Sequence, residues 1–405
     1  RTLFAEVIDA PGGGLAIQTI HSFCQSLLAS FPEEAGLAPG FRPLEEREIA
    51  LLRRDVLADL VDSAPRTGDL AFLRRIEQLS LAMGEEAASA YLYRCAQAVD
   101  ALDSLPSVIS PWLRTQFSLS TADPTAWAEA CCADELVDIT DLFTVAEANR
   151  SWGTATGTAR VTILHDWLAA DAATRWQTLG NCLQTMVTAK GELRADYRPD
   201  KKLGHVGDLA ARLAEQLGTI ATTAAQMAAS DRLAEALESG RHFARAFADR
   251  KRREGVVDFD DLIARAVALL RHDGRAEWIR YKLDARIDHI LVDEAQDTNA
   301  AQWAIVRGLA EEFFAGEGAH DDAIRTLFVV GDFKQAIYGF QGTDPKYVEA
   351  ARLIFAALGQ GAERPFADLS FVINFRSSPP VLTVVVRLIV SLSPDVMGFV
   401  LGFVC

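Results

Sequence analysis

Short and almost continuously apolar runs stand near the two ends of the chain. They cover residues 15–20 (LAIQTI), 289–293 (HILVD) and 326–332 (TLFVVGD). Runs of this length without alternation are typical of parallel strands that are covered on both faces. Each run is followed by sequence that is compatible with a helix. The pattern therefore predicts an α/β domain with these three strands in one parallel sheet.

The chain between about residues 45 and 255 has a different pattern. Ala, Leu, Glu and Arg recur there with helical spacing, as in LEEREIALLRRDVLADLV, and no convincing strand interrupts them. This spacing predicts an all-helical insertion within the α/β domain.

Composition and charge narrow the class of protein. The 405 residues carry a formal net charge of −16, which argues against a generally basic nucleic-acid coat but is compatible with a local basic groove. The six cysteines form no CxxC pair and have no metal-ligand spacing with histidine, so a reduced cytoplasmic protein is expected. The apolar tail, residues 381–405, is interrupted by Arg387, Pro394 and Asp395, and we expect no membrane span there.

Polar residues gather where the three apolar runs end. They are Thr19 and His21 after the first run, Asp293 and Glu294 after the second, and Asp332 and Gln335 after the third. In an open parallel sheet, ligands bind outside the carboxyl ends of the strands. An Asp-Glu pair in that place suits nucleotide hydrolysis, with one carboxylate for Mg²⁺ and the other for the attacking water. The alternative is that these acids cap the following helix.

Five motifs along the chain resemble those of UvrD/Rep-type DNA helicases, in the order of that family. They are IQTIHSFCQSLL, VVDFDDLI (256–263), VDEAQDTNAAQW, VVGDFKQAIYGFQGTDP and LSFVINFRSSPPVL (369–382), and they cover about a sixth of the chain. Lys334 and the GFQGTDP ending are most similar to the AddA/RecB branch of the family. The longer stretch IQTIHSFCQSLLASFPEEAGLAPGF resembles AddA in particular, the helicase–nuclease subunit of double-strand break repair.

The resemblance implies a RecA-like P-loop NTPase sheet, incomplete here, with a large all-helical insertion domain. Residues 1–45 and 256–380 would form the two parts of the motor domain, and residues 46–255 the insertion. Residues 381–405 would be a truncated lead into a second motor domain.

The resemblance also implies roles around the nucleotide. Asp293 would bind Mg²⁺, and Glu294 would activate water. Gln335 would sense the γ-phosphate, Arg376 would contact it as an arginine finger, and Phe375 would stack on adenine. Each of the last three has a plainer alternative: a strand-end hydrogen bond, a surface arginine and a core aromatic residue.

For DNA, the resemblance implies a single-strand path with aromatic faces. Thr19, His21 and Phe23 would line the path, and Phe259, Tyr338 and Phe340 would supply or position stacking surfaces. Stacking needs no sequence preference, as a motor that accepts any sequence requires. A core position is the alternative for the histidine and the aromatic residues. For Asp258 and Asp261, the alternative is a helix N-cap with an acid three residues later.

The sequence departs from the family pattern in several places. Ala336 stands where most members have Ser, and Gln341 stands where UvrD relatives have Arg. More important, no G-x-x-x-x-G-K-[ST] motif occurs, and the chain has no Gly-Lys dipeptide. PGGGLAIQ and GTATGTAR are glycine-rich but lack the lysine and are interpreted as loops. We therefore expect an internal fragment of a longer protein, with negligible ATP hydrolysis by itself.

The function that these observations predict is that of an ATP-dependent DNA helicase or translocase in double-strand break repair and recombination. It would use ATP and Mg²⁺, move on single-stranded DNA, act on double-stranded DNA and bind an AddB-like partner subunit. One alternative is a metal-dependent nuclease that uses Asp293, Glu294 and Asp297. Another is a non-catalytic helical scaffold that binds DNA or a partner.

Overall fold

The computed structural model describes residues 16–271, 275–284, 287–314, 325–332, 344–369 and 378–391. The described chain is mostly helical, with short parallel strands. It divides into two compact units, one formed by Gly36–Leu262 and the other by Arg1–Ala35 with Ile263–Cys405. No helix in the described ranges combines the length and hydropathy that a bilayer span requires.

The first half of the chain is built from helices and one very short strand. They are α1 (Ile20–Ser30), β1 (Arg42–Pro43), α2 (Glu46–Thr67), α3 (Leu70–Met83), α4 (Glu85–Ala96), α5 (Val99–Asp103), α6 (Ile109–Gln116), α7 (Pro124–Cys131), α8 (Ile139–Trp152), α9 (Ala155–Ala169) and α10 (Ala172–Met186).

The second half contains a long helix and the remaining strands. Its elements are α11 (Gly207–Glu254), β2 (Val256–Val257), α12 (Phe259–Arg271), α13 (Arg275–Asp284), β3 (His289–Val292), α14 (Ala300–Ala310), β4 (Thr326–Val329), α15 (Pro345–Gly361) and α16 (Pro379–Ser391). A single 3₁₀ turn, Ala295–Asp297, follows β3.

The 48-residue helix α11 organises the Gly36–Leu262 unit. Its first half packs in a core with α7 to α10, and its second half packs in another core with α2 and α4 through Phe243 and Phe247. The helix ends at Gly255, which has φ +64°, a left-handed conformation that suits glycine. After this turn β2 pairs in parallel with β1, where Arg42 is opposite Val256.

In the other unit, β3 and β4 pair in parallel over four residues, with His289 opposite Thr326 and Val292 opposite Val329. Two of the three predicted strands are therefore present and share a sheet. The prediction that both faces of these strands are covered is wrong. Ile290, Val292 and Leu327 pack against a core from α14 and α15, whereas Leu291 is 67% exposed and Phe328 is 54% exposed. The side chains alternate across the strands, and among the described residues α14 and α15 pack against the face that carries Ile290 and Val292.

The third predicted strand, at residues 15–20, is wrong in the part that the structure describes. Residues 16–19 are irregular, Ile17 is 85% exposed, and α1 begins at Ile20. Thr19 is the N-cap, and its side chain accepts a hydrogen bond from the Ser22 backbone N–H. Cys24, Leu27 and Leu28 are buried at helical spacing, so the cap and the helix face decide the local structure here.

Candidate active site

The ends of β3 and β4 are joined beyond the strands themselves. The Val330 N–H donates to the Val292 carbonyl at 2.8 Å, and the Ala295 N–H donates back to the Val330 carbonyl at 2.9 Å. Asp293 and Glu294 lie between these two hydrogen bonds, and both residues are exposed. The backbone therefore places the two acids at the carboxyl ends of paired strands, where α/β sheets bind their ligands.

Glu294 has an unusual backbone conformation. Its φ is +50° and its ψ is 44°, in the left-handed region that non-glycine residues seldom occupy. Such a backbone conformation costs about 1–3 kcal/mol and persists only where the surrounding structure holds it. One restraint is local, since the Glu294 N–H donates to Asp293 Oδ1 at 2.9 Å.

A second restraint comes from Gln296, which is 2% exposed. Its Nε2 donates to Glu294 Oε2 at 2.6 Å, and its Oε1 accepts from the Asp332 backbone N–H at 3.0 Å. Gln296 was not among the residues predicted from the sequence, because only the acids of DEAQD were candidates for chemistry. The signal in the sequence that could have indicated Gln296 is its neutral amide, which lies between the acids Glu294 and Asp297.

The site fits a magnesium ion held mainly through water and phosphate. Mg²⁺ in nucleotide sites uses one or two carboxylates, and Asp293 offers an exposed one. Neither Asp293 nor Glu294 forms an ion pair within the described part of the chain. Across those same residues, no three His, Cys, Asp or Glu side chains are placed to share a metal ion, so the three-carboxylate nuclease alternative gains no support. Asp297 Oδ1 is buried and has no hydrogen-bond partner among the residues that the structure describes.

The predicted DNA residues of α1 lie together on its first turn. Thr19 is exposed and caps the helix, with Ser22 Oγ also within 3.0 Å of Thr19 Oγ1. His21 and Phe23 are half-buried. The capping role of Thr19 is therefore observed, and a DNA role for these three residues stays a prediction.

The DFDDL motif has two kinds of residue. Asp258 and Asp261 form the reciprocal cap that was the alternative for them: the Asp261 N–H donates to Asp258 Oδ1 at 2.9 Å, and the Asp258 N–H donates to Asp261 Oδ2 at 3.0 Å. Lys251 of α11 donates to both carboxylates, at 2.8 and 2.6 Å. Burial, followed by the charge of Asp258, raises the pKa of Asp261. Phe259, between the two acids, is 47% exposed.

Five predicted site residues lie outside the residues that the structure describes. They are Gln335, Tyr338, Phe340, Phe375 and Arg376.

Comparison with known proteins adds a family to this geometry. Residues 7–355 match the model of the UvrD/REP helicase N-terminal domain. A protein of Exiguobacterium sibiricum, named as a subunit of an ATP-dependent helicase/nuclease, is 28% identical over 81% of this chain and 28% of its own length. A protein of the same name from Syntrophomonas wolfei is 25% identical over 91% of this chain and 30% of its own length. Another, from Desulfitobacterium hafniense, is 36% identical over 35% of this chain and 10% of its own length. The chain thus spans about a third or less of the length of these relatives.

Proposed function

The chain belongs to the UvrD/REP helicase family, and we propose that it provides part of the motor domain of an ATP-dependent DNA helicase that acts in double-strand break repair and recombination. The observation that carries this proposal is the exposed Asp293–Glu294 pair at the ends of two paired parallel strands, with Glu294 held by Asp293 and Gln296. The relatives named as ATP-dependent helicase/nuclease subunits support the choice of branch.

In the proposed reaction, Glu294 is the base for the attacking water. Its carboxylate accepts a proton from water as the water oxygen attacks the γ-phosphorus of ATP. The bond from that phosphorus to the bridging oxygen breaks, and ADP leaves with the electron pair. Asp293 would hold Mg²⁺, which neutralises charge on the phosphates. The exposed position of Glu294 keeps its carboxylate accessible to water, and the hydrogen bond from Gln296 fixes its direction.

Other residues complete the proposal without being described in the structure. Gln335 would sense the γ-phosphate, Arg376 would stabilise its developing charge, and Phe375 would stack on adenine. Since the sequence has no Gly-Lys dipeptide, the chain by itself would hydrolyse ATP negligibly.

The proposed macromolecular ligands are DNA and a second protein of the same complex. Thr19, His21, Phe23, Phe259, Tyr338 and Phe340 would lie along a single-stranded segment, and movement along it would open double-stranded DNA. The word "subunit" in the names of the relatives supports a complex, for which we propose an AddB-like partner.

ATP hydrolysis with and without single-stranded DNA tests the proposal directly. In the full-length protein, we expect DNA to stimulate hydrolysis and ATP to drive unwinding of a duplex with a single-stranded end. A full-length protein that cleaved DNA at a site built from Asp293, Glu294 and Asp297, and that did not hydrolyse ATP, would contradict it.

A further inference from the structure

We propose that Gln296 is a positioning residue, which aims the Glu294 carboxylate and links it to the backbone at the end of β4. This inference rests on the proposed function of Glu294. It goes further because it assigns a role to a buried amide that does not touch the reacting water or phosphate.

The two hydrogen bonds of Gln296 require one orientation of its amide. The carbonyl oxygen faces the Asp332 N–H at 3.0 Å, and the NH₂ group faces Glu294 Oε2 at 2.6 Å. The reverse orientation would place a donor against a donor and an acceptor against a carboxylate. The geometry therefore assigns the amide oxygen of Gln296 to the Asp332 N–H after β4 and the NH₂ group to Glu294 after β3.

Burial makes this bridge stiff. Gln296 is 2% exposed, so little water reaches its amide to compete with these hydrogen bonds. Its position in the 3₁₀ turn Ala295–Asp297 is held by the hydrogen bond from the Ala295 N–H to the Val330 carbonyl. A hydrogen bond to an ionised carboxylate is also stronger than one between neutral groups.

Gly331 provides the space for the bridge. A Cβ atom at residue 331 would lie 2.9 Å from Gln296 Oε1 and 3.0 Å from the Cβ of Ala295. The glycine is needed here because of close approach, and its φ is not in the left-handed region. A side chain at 331 would push the amide away from Asp332.

The bridge couples two parts of the motor. Asp332 begins the segment that continues in sequence to Gln335, the proposed γ-phosphate sensor. A shift of the Asp332 backbone would move the Gln296 amide and, through its NH₂ group, the Glu294 carboxylate.

Hydrogen exchange of the Asp332 amide in this 405-residue chain tests the geometry without any nucleotide. Gln296→Met has a similar size but no acceptor, and we expect it to speed exchange at Asp332 about tenfold. Gln296→Glu keeps an acceptor, so protection at Asp332 should remain. Gln360→Met and Gln360→Glu are matched controls at an exposed position of α15 and should leave exchange unchanged. Equal protection in wild type and Gln296→Met would overturn the bridge.

Steady-state ATP hydrolysis by the full-length protein tests the role. Gln296→Met removes the donor to Glu294, and Gln296→Glu replaces it with a second carboxyl group that competes with Glu294 for a proton. We therefore expect kcat to fall about 100-fold in each variant while KM for ATP stays within about threefold. Gly331→Ala should also lower kcat, and Gly361→Ala, where a Cβ meets nothing within 4 Å, should not.

Comparison of the two measurements on Gln296→Glu, exchange protection at Asp332 and kcat for ATP, separates a positioning role from a merely structural one. A structural role predicts that exchange protection and kcat are lost together, whereas positioning predicts protected Asp332 with low kcat. Parental kcat in Gln296→Glu would overturn the proposal. If instead Glu294→Gln hydrolysed ATP at the parental rate, the proposed function of Glu294 would be the part that fails.

Discussion

Two acidic motifs of this chain, DFDDL and DEAQD, hold their carboxylates in opposite ways. In the first, Asp258 and Asp261 share one buried cation, Lys251, and cap α12. In the second, Asp293 and Glu294 are exposed, form no ion pair within the described ranges and are oriented by neutral N–H donors. The first pair of acids is satisfied inside the protein, whereas the second is held in place and left open.

The role of each acidic motif in this protein depends on the groups that contact its carboxylates. A buried cation that donates to two carboxylates makes them part of the fold, because removal of the cation leaves two buried carboxylates without a counter-charge. Carboxylates that are oriented by neutral N–H donors still have lone pairs with which they can bind a metal ion or accept a proton. The motif letters are similar, and the partners differ.

Glu294→Gln should produce the largest separation between the two motifs. In the full-length protein, we expect kcat for ATP to fall about 10²–10⁴-fold, because the amide cannot accept the proton from water. Nucleotide binding and thermal stability should stay near the parental values, since Asp293 is unchanged and Glu294 is exposed. Glu311→Gln, which removes the same charge elsewhere in the unit that contains β3 and β4, serves as the control for hydrolysis. A parental turnover rate in Glu294→Gln would show that Glu294 is not the base for the attacking water.

Lys251→Met should have the converse effect, on stability. The side chain of Lys251 is 8% exposed, and its loss leaves two carboxylates in a buried site. We expect a decrease of about 3–5 kcal/mol in the free energy of unfolding, measured by urea denaturation of this chain. Lys346→Met, at an 88% exposed side chain paired at 3.7 Å, should change it by less than about 1 kcal/mol. Similar decreases in the free energy of unfolding of the two variants would show that the buried triad of Lys251, Asp258 and Asp261 does not stabilise the fold more than an exposed ion pair does.

Phe259→Ala tests whether the DFDDL motif also has an open part. Since Phe259 is 47% exposed, its removal should affect ligand binding more than folding. We expect single-stranded DNA binding to weaken by about 1–3 kcal/mol, measured by fluorescence anisotropy with a labelled oligonucleotide. Phe117→Ala, at a 57% exposed phenylalanine outside the motif, should bind as the parent does. Unchanged affinity with a lowered melting temperature would assign Phe259 to the core.

Asp261→Asn should have the smallest effect, visible in the pH dependence of stability. The raised pKa of Asp261 means that the folded protein holds this proton more tightly than the unfolded chain does. The contribution of Asp261 to stability is therefore fully present below the ordinary aspartate pKa of 3.8. It is lost as the pH rises through the raised pKa of Asp261 in the folded protein. Unfolding free energies measured at successive pH values should show this decline in wild type and in Asp260→Asn. The decline should be reduced in Asp261→Asn, and an equal decline in all three would contradict the assignment.

Local patterns in the sequence determined much of this protein. Apolar runs at 289–293 and 326–332 predicted β3 and β4 and their parallel pairing, since strand length and apolar character can be read from the runs themselves. The position of Asp293 and Glu294 directly after β3 followed from the same run. The spacing of Asp258 and Asp261 allowed the reciprocal cap, because a cap joins residues three apart.

Tertiary structure decided what local patterns leave open. The apolar run at 15–20 also carries a capping threonine, and the helix of α1 replaced the predicted strand there. The exposed face at Leu291 and Phe328 depends on which helices pack on the sheet, which no run of letters states. Above all, the hydrogen bonds from the Asp332 backbone N–H to the Gln296 side chain and from Lys251 to Asp258 depend on how the chain folds back. Only the fold brings these atoms to 3.0 Å or less. Whether an acid is neutralised or left open is a property of those contacts, and it is the tertiary structure that sets them.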